Sequence, residues 1–256
     1  VVAMVYVAVL ANINGNLPAL AKALEKIEAL KEEGYEIEKY YVLGNIVGLF
    51  PYPKEVLDAL DDLIRNNTVK VIRGEFDQVI AESDPHAEGP DYIDKVEYPD
   101  YIKKALKYTW EALGHEGREF IRDLPIYLVD KIGKNDIFGV YGSPLNPFGG
   151  VVLPDQPTSY YEAIMRPVKD YEILFVASPK YPVNAMTRYG RVICPGSIGY
   201  PPGKNHKATF ALVDVDTLHT KFIEVDYDDE KKLIEEKIKK EGLPEELIKI
   251  LYHGKV

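Results

Sequence analysis

Six short polar turns carry most of the residues in this chain that are suited to chemistry. They are Asn12-Ile13-Asn14-Gly15-Asn16, Gly44-Asn45, Gly74-Glu75-Phe76-Asp77, Tyr141-Gly142-Ser143-Pro144, Ala177-Ser178-Pro179-Lys180-Tyr181-Pro182 and Pro195-Gly196-Ser197. Lys180, Arg73, Ser143, Ser197 and the backbone N–H groups of the glycine turns suit an anion such as phosphate or a nucleotide. Glu75 and Asp77 are the only acids in the six turns. One Asn-rich turn alone is ordinary turn chemistry, since Asn tolerates left-handed φ and caps helices. Six polar turns at successive strand ends, where α/β sheets bind ligands, point to a cleft. The histidines lie elsewhere: His86, His115, His206, His219 and His253 fall in a loop, at helix ends, at strand starts and in the tail. Cys194 has no His neighbour in sequence or in any of these turns, and reads as a small buried residue, not a nucleophile.

The elements that position these turns follow from apolar spacing. Val1–Leu10 is a continuous apolar run that suits a central strand covered on both faces. Leu17, Leu20, Leu24, Ile27 and Leu30 recur at helical spacing behind an Asn16 cap and Pro18, and Gly34 stops that helix. The pattern repeats with a strand over Lys39–Leu43, a helix from Pro53 to Asn66-Asn67, and a strand over Val69–Ile72. Strand, turn and helix in this order predict a parallel sheet with right-handed crossovers. Ser83–Pro99 is rich in Asp, Pro and Gly and reads as an exposed loop. Two helices follow, Tyr101–Leu113 and His115–Asp123, stopped by Pro125.

The second half reads as strands at Ile126–Lys131, Asp136–Tyr141, Tyr171–Val176, Ala185–Tyr189, Arg191–Pro195, Ala208–Val215 and Leu218–Asp226, with one helix near Ser159–Met165. The expected fold class is α/β, with two mixed sheets packed face to face and helices outside. Residues 1–226 form the main domain, and 227–256 form an amphipathic helical extension, with Leu233, Ile234, Ile238, Leu247, Ile248 and Leu251 as its apolar stripes. That extension is expected to dock on the domain, the alternative being a partner or dimer contact.

Composition narrows the function classes. The chain has 256 residues, 46% hydrophobic and 28% charged, an ordinary globular balance that excludes disorder for most of the length. With 41 acidic and 31 basic residues the net charge is −10, which opposes nucleic acid and anionic membranes in bulk. A single cysteine excludes an internal disulfide framework. No apolar run approaches the ~18 residues of a membrane span. No basic segment precedes the opening apolar run, which reads as a strand and not a signal peptide, so a cytoplasmic location is expected. Few Gln and Cys beside many Glu, Lys, Tyr and Pro lean towards a thermophile.

The turns and their flanks resemble the calcineurin-like metallophosphoesterase superfamily, in its compact prokaryotic phosphodiesterase branch. The family's blocks are Asp-x-His-Gly-Asn, Gly-Asp, Gly-Asn-His-Asp, His-Gly-Ser-Pro, Gly-His-Thr-His-x-Pro and Asn-Pro-Gly-Ser. The six turns match them in order and approximate spacing over about residues 4–226. The flanks Asn16-Leu17-Pro18-Ala19-Leu20, Ile46-Val47-Gly48 with Pro51-Tyr52-Pro53, Trp110, and Phe120-Ile121-Arg122-Asp123-Leu124-Pro125 match as well. Gly15, Asn16, Gly44, Gly74, Asp77, Gly142, Ser143, Pro144, Pro182, Pro195, Gly196 and Ser197 keep the family's structural residues.

The resemblance implies two divalent metals held by Asp, His, Asp, Asn and three further His. The matching positions here are Asn12, Asn14, Asn45, Glu75, Tyr141, Ser178 and Lys180, and every one differs from the family's ligand. Phe76 stands at the family's catalytic His. Asp77 matches a position that orients a loop. Two-metal hydrolysis clamps cations ~3.5–4 Å apart with carboxylates and imidazoles. A neutral amide is a poor bridge, and an ammonium repels a cation.

The expectation is therefore a degenerate metallophosphoesterase-fold protein with no catalytic or metal-ligating residues and no cofactor. It would bind a small phosphorylated ligand, or a protein partner or second copy of itself, without hydrolysis. Asn12, Asn14, Asn45, Glu75, Phe76, Asp77, Tyr141, Ser178 and Lys180 would line the site. Lys180 is expected to occupy the metals' space and pair with Glu75, with the three amides beside them. The alternatives are an active phosphatase or phosphodiesterase using a weakly held Mn²⁺ or similar metal, and a structural or assembly subunit.

Overall fold

A computed structural model describes residues 4–201 and 205–256; Val1–Ala3, where the first strand is expected to begin, lie outside the described residues. The chain opens with β1 (Met4–Leu10), α1 (Leu17–Glu32), β2 (Tyr35–Val42), α2 (Pro53–Asn66), β3 (Val69–Val71) and α3 (Glu75–Ala81). The Asn16 side chain accepts the Ala19 N–H and starts α1, with Pro18 in its first turn. The long helix α4 (Asp100–Asp123) breaks at Gly114, whose φ of 66° is left-handed, so two helical segments stand where the sequence predicts two.

After α4 come β4 (Tyr127–Ile132), β5 (Asn135–Val140), α5 (Thr158–Met165), β6 (Ile173–Phe175), β7 (Pro182–Met186), β8 (Arg191–Pro195), β9 (Ala208–Asp214) and β10 (Thr220–Val225). The chain closes with α6 (Asp228–Lys240) and α7 (Glu246–His253). One five-stranded sheet runs β10-β9-β1-β2-β3 and the other β4-β5-β6-β8-β7. Each is mixed. β1, β2 and β3 are parallel, while β9 and β10 pair antiparallel. β5, β6 and β8 are parallel, with β4 and β7 antiparallel at the two edges.

The two-residue period of β1 sorts the layers. Tyr6, Ala8 and Leu10 face the core shared with α1, α2, α4, α6 and α7. Val7 and Val9 face the inter-sheet core, where they join Tyr41, Leu43, Ile137, Phe175, Ile193 and Val213. A third cluster covers the outer face of the second sheet with α5, from Val140, Leu174, Val192 and Cys194 to Tyr161 and Met165. The architecture is four layers, helix-sheet-sheet-helix. Both ends of the C-terminal pair are seated: Ile234, Ile238, Leu247, Ile250 and Leu251 are buried in the first core. Leu233 is 54% exposed, so it lies off the docked stripe.

The structure shifts the expected starts of two strands and the expected exposure of one loop. β2 begins at Tyr35, not Lys39, because its charged first half pairs with β1 and alternates between half-buried and exposed. β7 begins at Pro182, not Ala185, since an edge strand tolerates a proline that donates no hydrogen bond. The 83–99 loop is not wholly exposed: Ser83 and Ile93 are buried within it.

Candidate functional site

The six turns meet where the two sheets' strand ends face each other. The first three interlock through their backbones: Asn14 N–H donates to Asn45 C=O at 2.9 Å and Gly15 N–H to Ile46 C=O at 3.0 Å. Gly44, at φ 72°, lies so close to Gly74 that a Cβ there would collide with the Gly74 backbone. Asp77 is fully buried and ties the second turn to the third. Its carboxylate accepts the N–H groups of Gly74 at 2.8 Å, Ile46 at 3.0 Å and Val47 at 3.1 Å. Burial pushes this carboxyl up to about 6, against the pull of those three donors and of Arg73.

At the centre a phenol sits between two amides. The Tyr141 hydroxyl donates to Asn12 Oδ1 at 3.1 Å and accepts from Asn45 Nδ2 at 3.0 Å. Each amide's other end is fixed by backbone. Asn12 Nδ2 donates to Ala177 C=O at 3.0 Å, and Phe76 N–H donates to Asn45 Oδ1 at 2.8 Å. The relay is therefore oriented: flipping either amide would set like against like at Ala177 or Phe76. Asn12, Asn45 and Tyr141 are all buried, and Tyr141 is held far above the ordinary phenol range by burial and by Glu75 and Asp77 nearby. It stays a neutral donor.

The remaining expected residues lie around this relay. Ser178 Oγ donates to Gly142 C=O at 3.2 Å and accepts Val152 N–H at 3.0 Å. Phe76 is buried and packs edge-on against Tyr98, ring centres 5.7 Å apart. Asn14 is fully buried beneath the turn, with neither side-chain polar atom hydrogen-bonded. Glu75 accepts the Tyr98 hydroxyl at 2.7 Å. Lys180 is largely buried, its ammonium 5.4 Å from the centre of the Tyr200 ring. Burial lowers its pKa, partly offset by Glu75.

The expected Lys180–Glu75 plug is thus corrected on two counts. Tyr141, not Lys180, is the group that joins the amides at positions 12 and 45. Glu75 and Lys180 make no contact ion pair; Glu75 is engaged by Tyr98, and Lys180 lies over Tyr200. They do share a cavity of about 220 Å³, lined also by Tyr141, Val151–Pro154, Ser178 and Pro179. Arg73, Ser143 and Ser197 do not line it. The Ser197 hydroxyl donates to Lys180 C=O at 2.6 Å and so fixes the lysine's backbone. Tyr98, Tyr200 and the Val151–Pro154 wall escape sequence reasoning, since they come from loops without a strand-end signal. Cys194 is buried, and burial pushes its thiol up to about 12.

Comparison with known proteins agrees with the fold. The family model for calcineurin-like phosphoesterases matches residues 5–216. The chain belongs to the calcineurin-like phosphoesterase family. A hypothetical protein of Pyrococcus horikoshii OT3, known from its crystal structure, is 75% identical with a TM-score of 0.95, over 98% of this chain and 99% of that one. An uncharacterised protein of Methanocaldococcus jannaschii is 29% identical over 97% of this chain and 98% of its own length. A metallophosphoesterase structure from Sphaerobacter thermophilus, 19% identical, shares the fold at a TM-score of 0.75 over 98% and 99% of the two chains.

Membership in the phosphoesterase family implies a metal pair, and the residues present here do not fit one. Among the described residues no three His, Cys, Asp or Glu side chains are grouped so as to hold a metal ion. Asn12 and Asn45 offer neutral oxygens that already accept protein hydrogen bonds. Tyr141 keeps its proton, Ser178 is bonded on both sides, and Lys180 adds a positive charge. Glu75 alone is anionic in the cavity lining, and one carboxylate does not balance two dications.

Proposed function

We propose that this phosphoesterase-family chain binds a small ligand in its cleft without hydrolysing it. The observation that carries the reading is the Tyr141 hydroxyl bonded between Asn12 and Asn45. An aspartate at position 12 has no N–H for Ala177 C=O, and one at position 45 has none for the Tyr141 oxygen. Amide, phenol and amide therefore form one unit, and that unit takes the donors a bridging metal would need.

The cleft beside the unit is kept. Its cavity lies below the ~300–1,000 Å³ of drug-sized sites, which favours a small ligand. The test is metal content by mass spectrometry before and after Mn²⁺ loading, alongside hydrolysis of bis-p-nitrophenyl phosphate. The expected result is substoichiometric metal and no metal-dependent turnover. Near-stoichiometric metal with turnover would overturn the reading and make Glu75 a ligand of a working site.

A further inference from the structure

The same cavity presents two opposite charges that do not touch. Lys180 supplies an ammonium, with the Tyr200 ring as its aromatic neighbour. Glu75 supplies a carboxylate whose Oε1 takes the Tyr98 hydroxyl. Both line the cavity, each within the other's electrostatic reach. Charges in a low-dielectric wall are costly unless paired, and these two lack the contact that would pair them. Val151, Val152, Leu153, Pro154 and Pro179 make the rest of the wall mostly apolar.

The lysine is also held in place at a cost. Its φ is 66°, a left-handed conformation that strains a residue with a Cβ. Two hydrogen bonds enforce it: Lys180 N–H to Ala177 C=O at 3.0 Å and Ser197 Oγ to Lys180 C=O. Non-glycine residues kept in such conformations cluster at ligand sites.

A dianion such as phosphate would gain Lys180 but meet Glu75, and a simple cation would meet the reverse. A ligand carrying both charges satisfies both groups. We propose that the cavity binds a small zwitterion, a free α-amino acid with an apolar side chain, its carboxylate on Lys180, its ammonium on Glu75 and its side chain against Val151–Pro154. This rests on the non-hydrolytic reading of the same cleft.

The test is calorimetric titration of the full chain with L-valine, L-leucine, L-isoleucine and L-methionine. N-acetyl-L-leucine, L-leucinamide and inorganic phosphate serve as comparators. At least one free amino acid is expected to bind. Capping either end should weaken it at least about tenfold, the worth of one charge-assisted hydrogen bond. Glu75→Gln should weaken L-leucine without weakening N-acetyl-L-leucine, whose lone carboxylate no longer meets a second one. Lys180→Met should weaken L-leucine without weakening L-leucinamide, whose ammonium no longer meets a second one. The analogues probe each charge without altering the protein, so a poorly folding variant does not blunt the result.

No binding by any of the four amino acids, or tighter binding of phosphate or N-acetyl-L-leucine, would overturn the proposal. Those outcomes with no metal-dependent turnover would leave the non-hydrolytic reading standing. Turnover in the phosphodiester assay would remove both.

Discussion

Replacing Tyr141 with Phe removes one oxygen and leaves the ring in place. That oxygen is the only partner of Asn12 Oδ1 and of Asn45 Nδ2 among the described residues. All three side chains are buried, with Asn12 fully so and Asn45 2% exposed. An orphaned buried polar group costs about 1–3 kcal/mol, so two orphans cost roughly 2–6. The variant recovers part of this, because the hydroxyl no longer has to leave water on folding. A net loss of about 2–4 kcal/mol follows, a shift of order 5–15 °C in Tm at this chain length. Guanidinium unfolding of the wild type and Tyr141→Phe at fixed temperature measures it. The single variant Asn12→Ala and the double variant complete a cycle. In the Asn12→Ala background the second substitution orphans only one group, so the two costs should fall short of additivity by about 1 kcal/mol or more. A loss below about 0.5 kcal/mol, or additive costs, would refute the claim that the phenol and amides act as one unit.

Three further outcomes follow from other groups. Burial holds the Asp77 carboxyl near 6 in the folded chain, against an ordinary value of 3.8. A raised pKa means that its contribution to stability is full below about pH 4 and falls as pH rises to about 6, by roughly 3 kcal/mol. Urea unfolding from pH 4 to 7 should show that loss in the wild type and not in Asp77→Asn; parallel curves would refute it. Lys180→Gly relieves a left-handed backbone and a largely buried ammonium, and should stabilise the chain by about 0.5–1 kcal/mol while abolishing binding of the apolar amino acid. A destabilised variant would mean that Lys180 serves the fold. Native Cys194, buried with its thiol pushed up to about 12, should resist iodoacetamide at pH 8 and react only after unfolding; labelling measured by mass spectrometry decides this.

How far the site is legible in the sequence depends on whether a residue's role is set locally. The apolar run ending at Leu10 and the Asn16 cap are local, and over the described residues β1 and α1 stand where those signals put them. The six turns are local too, and their convergence follows from the parallel strands that end in them. The charged start of β2 misleads because its pairing is decided by β1, and Lys39 is engaged 91 residues away by Asp130 at 3.3 Å. Tyr98 belongs to a loop whose composition reads as solvent, yet its hydroxyl lands on Glu75. The choice between Lys180 and Tyr141 as the central group is likewise non-local, since both sit in turns after strands of the same sheet.

The oriented relay also constrains which side chains can stand together at positions 12, 45 and 141. An amide at position 12 is required by Ala177 C=O once a phenol occupies position 141, and an amide at position 45 is required by that phenol's oxygen. A carboxylate at position 12 alone would face Ala177 C=O with no hydrogen between them, and one at position 45 alone would compete with Asn12 for the single Tyr141 proton; either would add a buried charge. Asn12→Asp or Asn45→Asp alone should therefore destabilise the fold, whereas changing positions 12, 45 and 141 together removes the conflict. Positions 12, 45 and 141 are therefore one hydrogen-bonded centre, in which each side chain restricts what its neighbours can be.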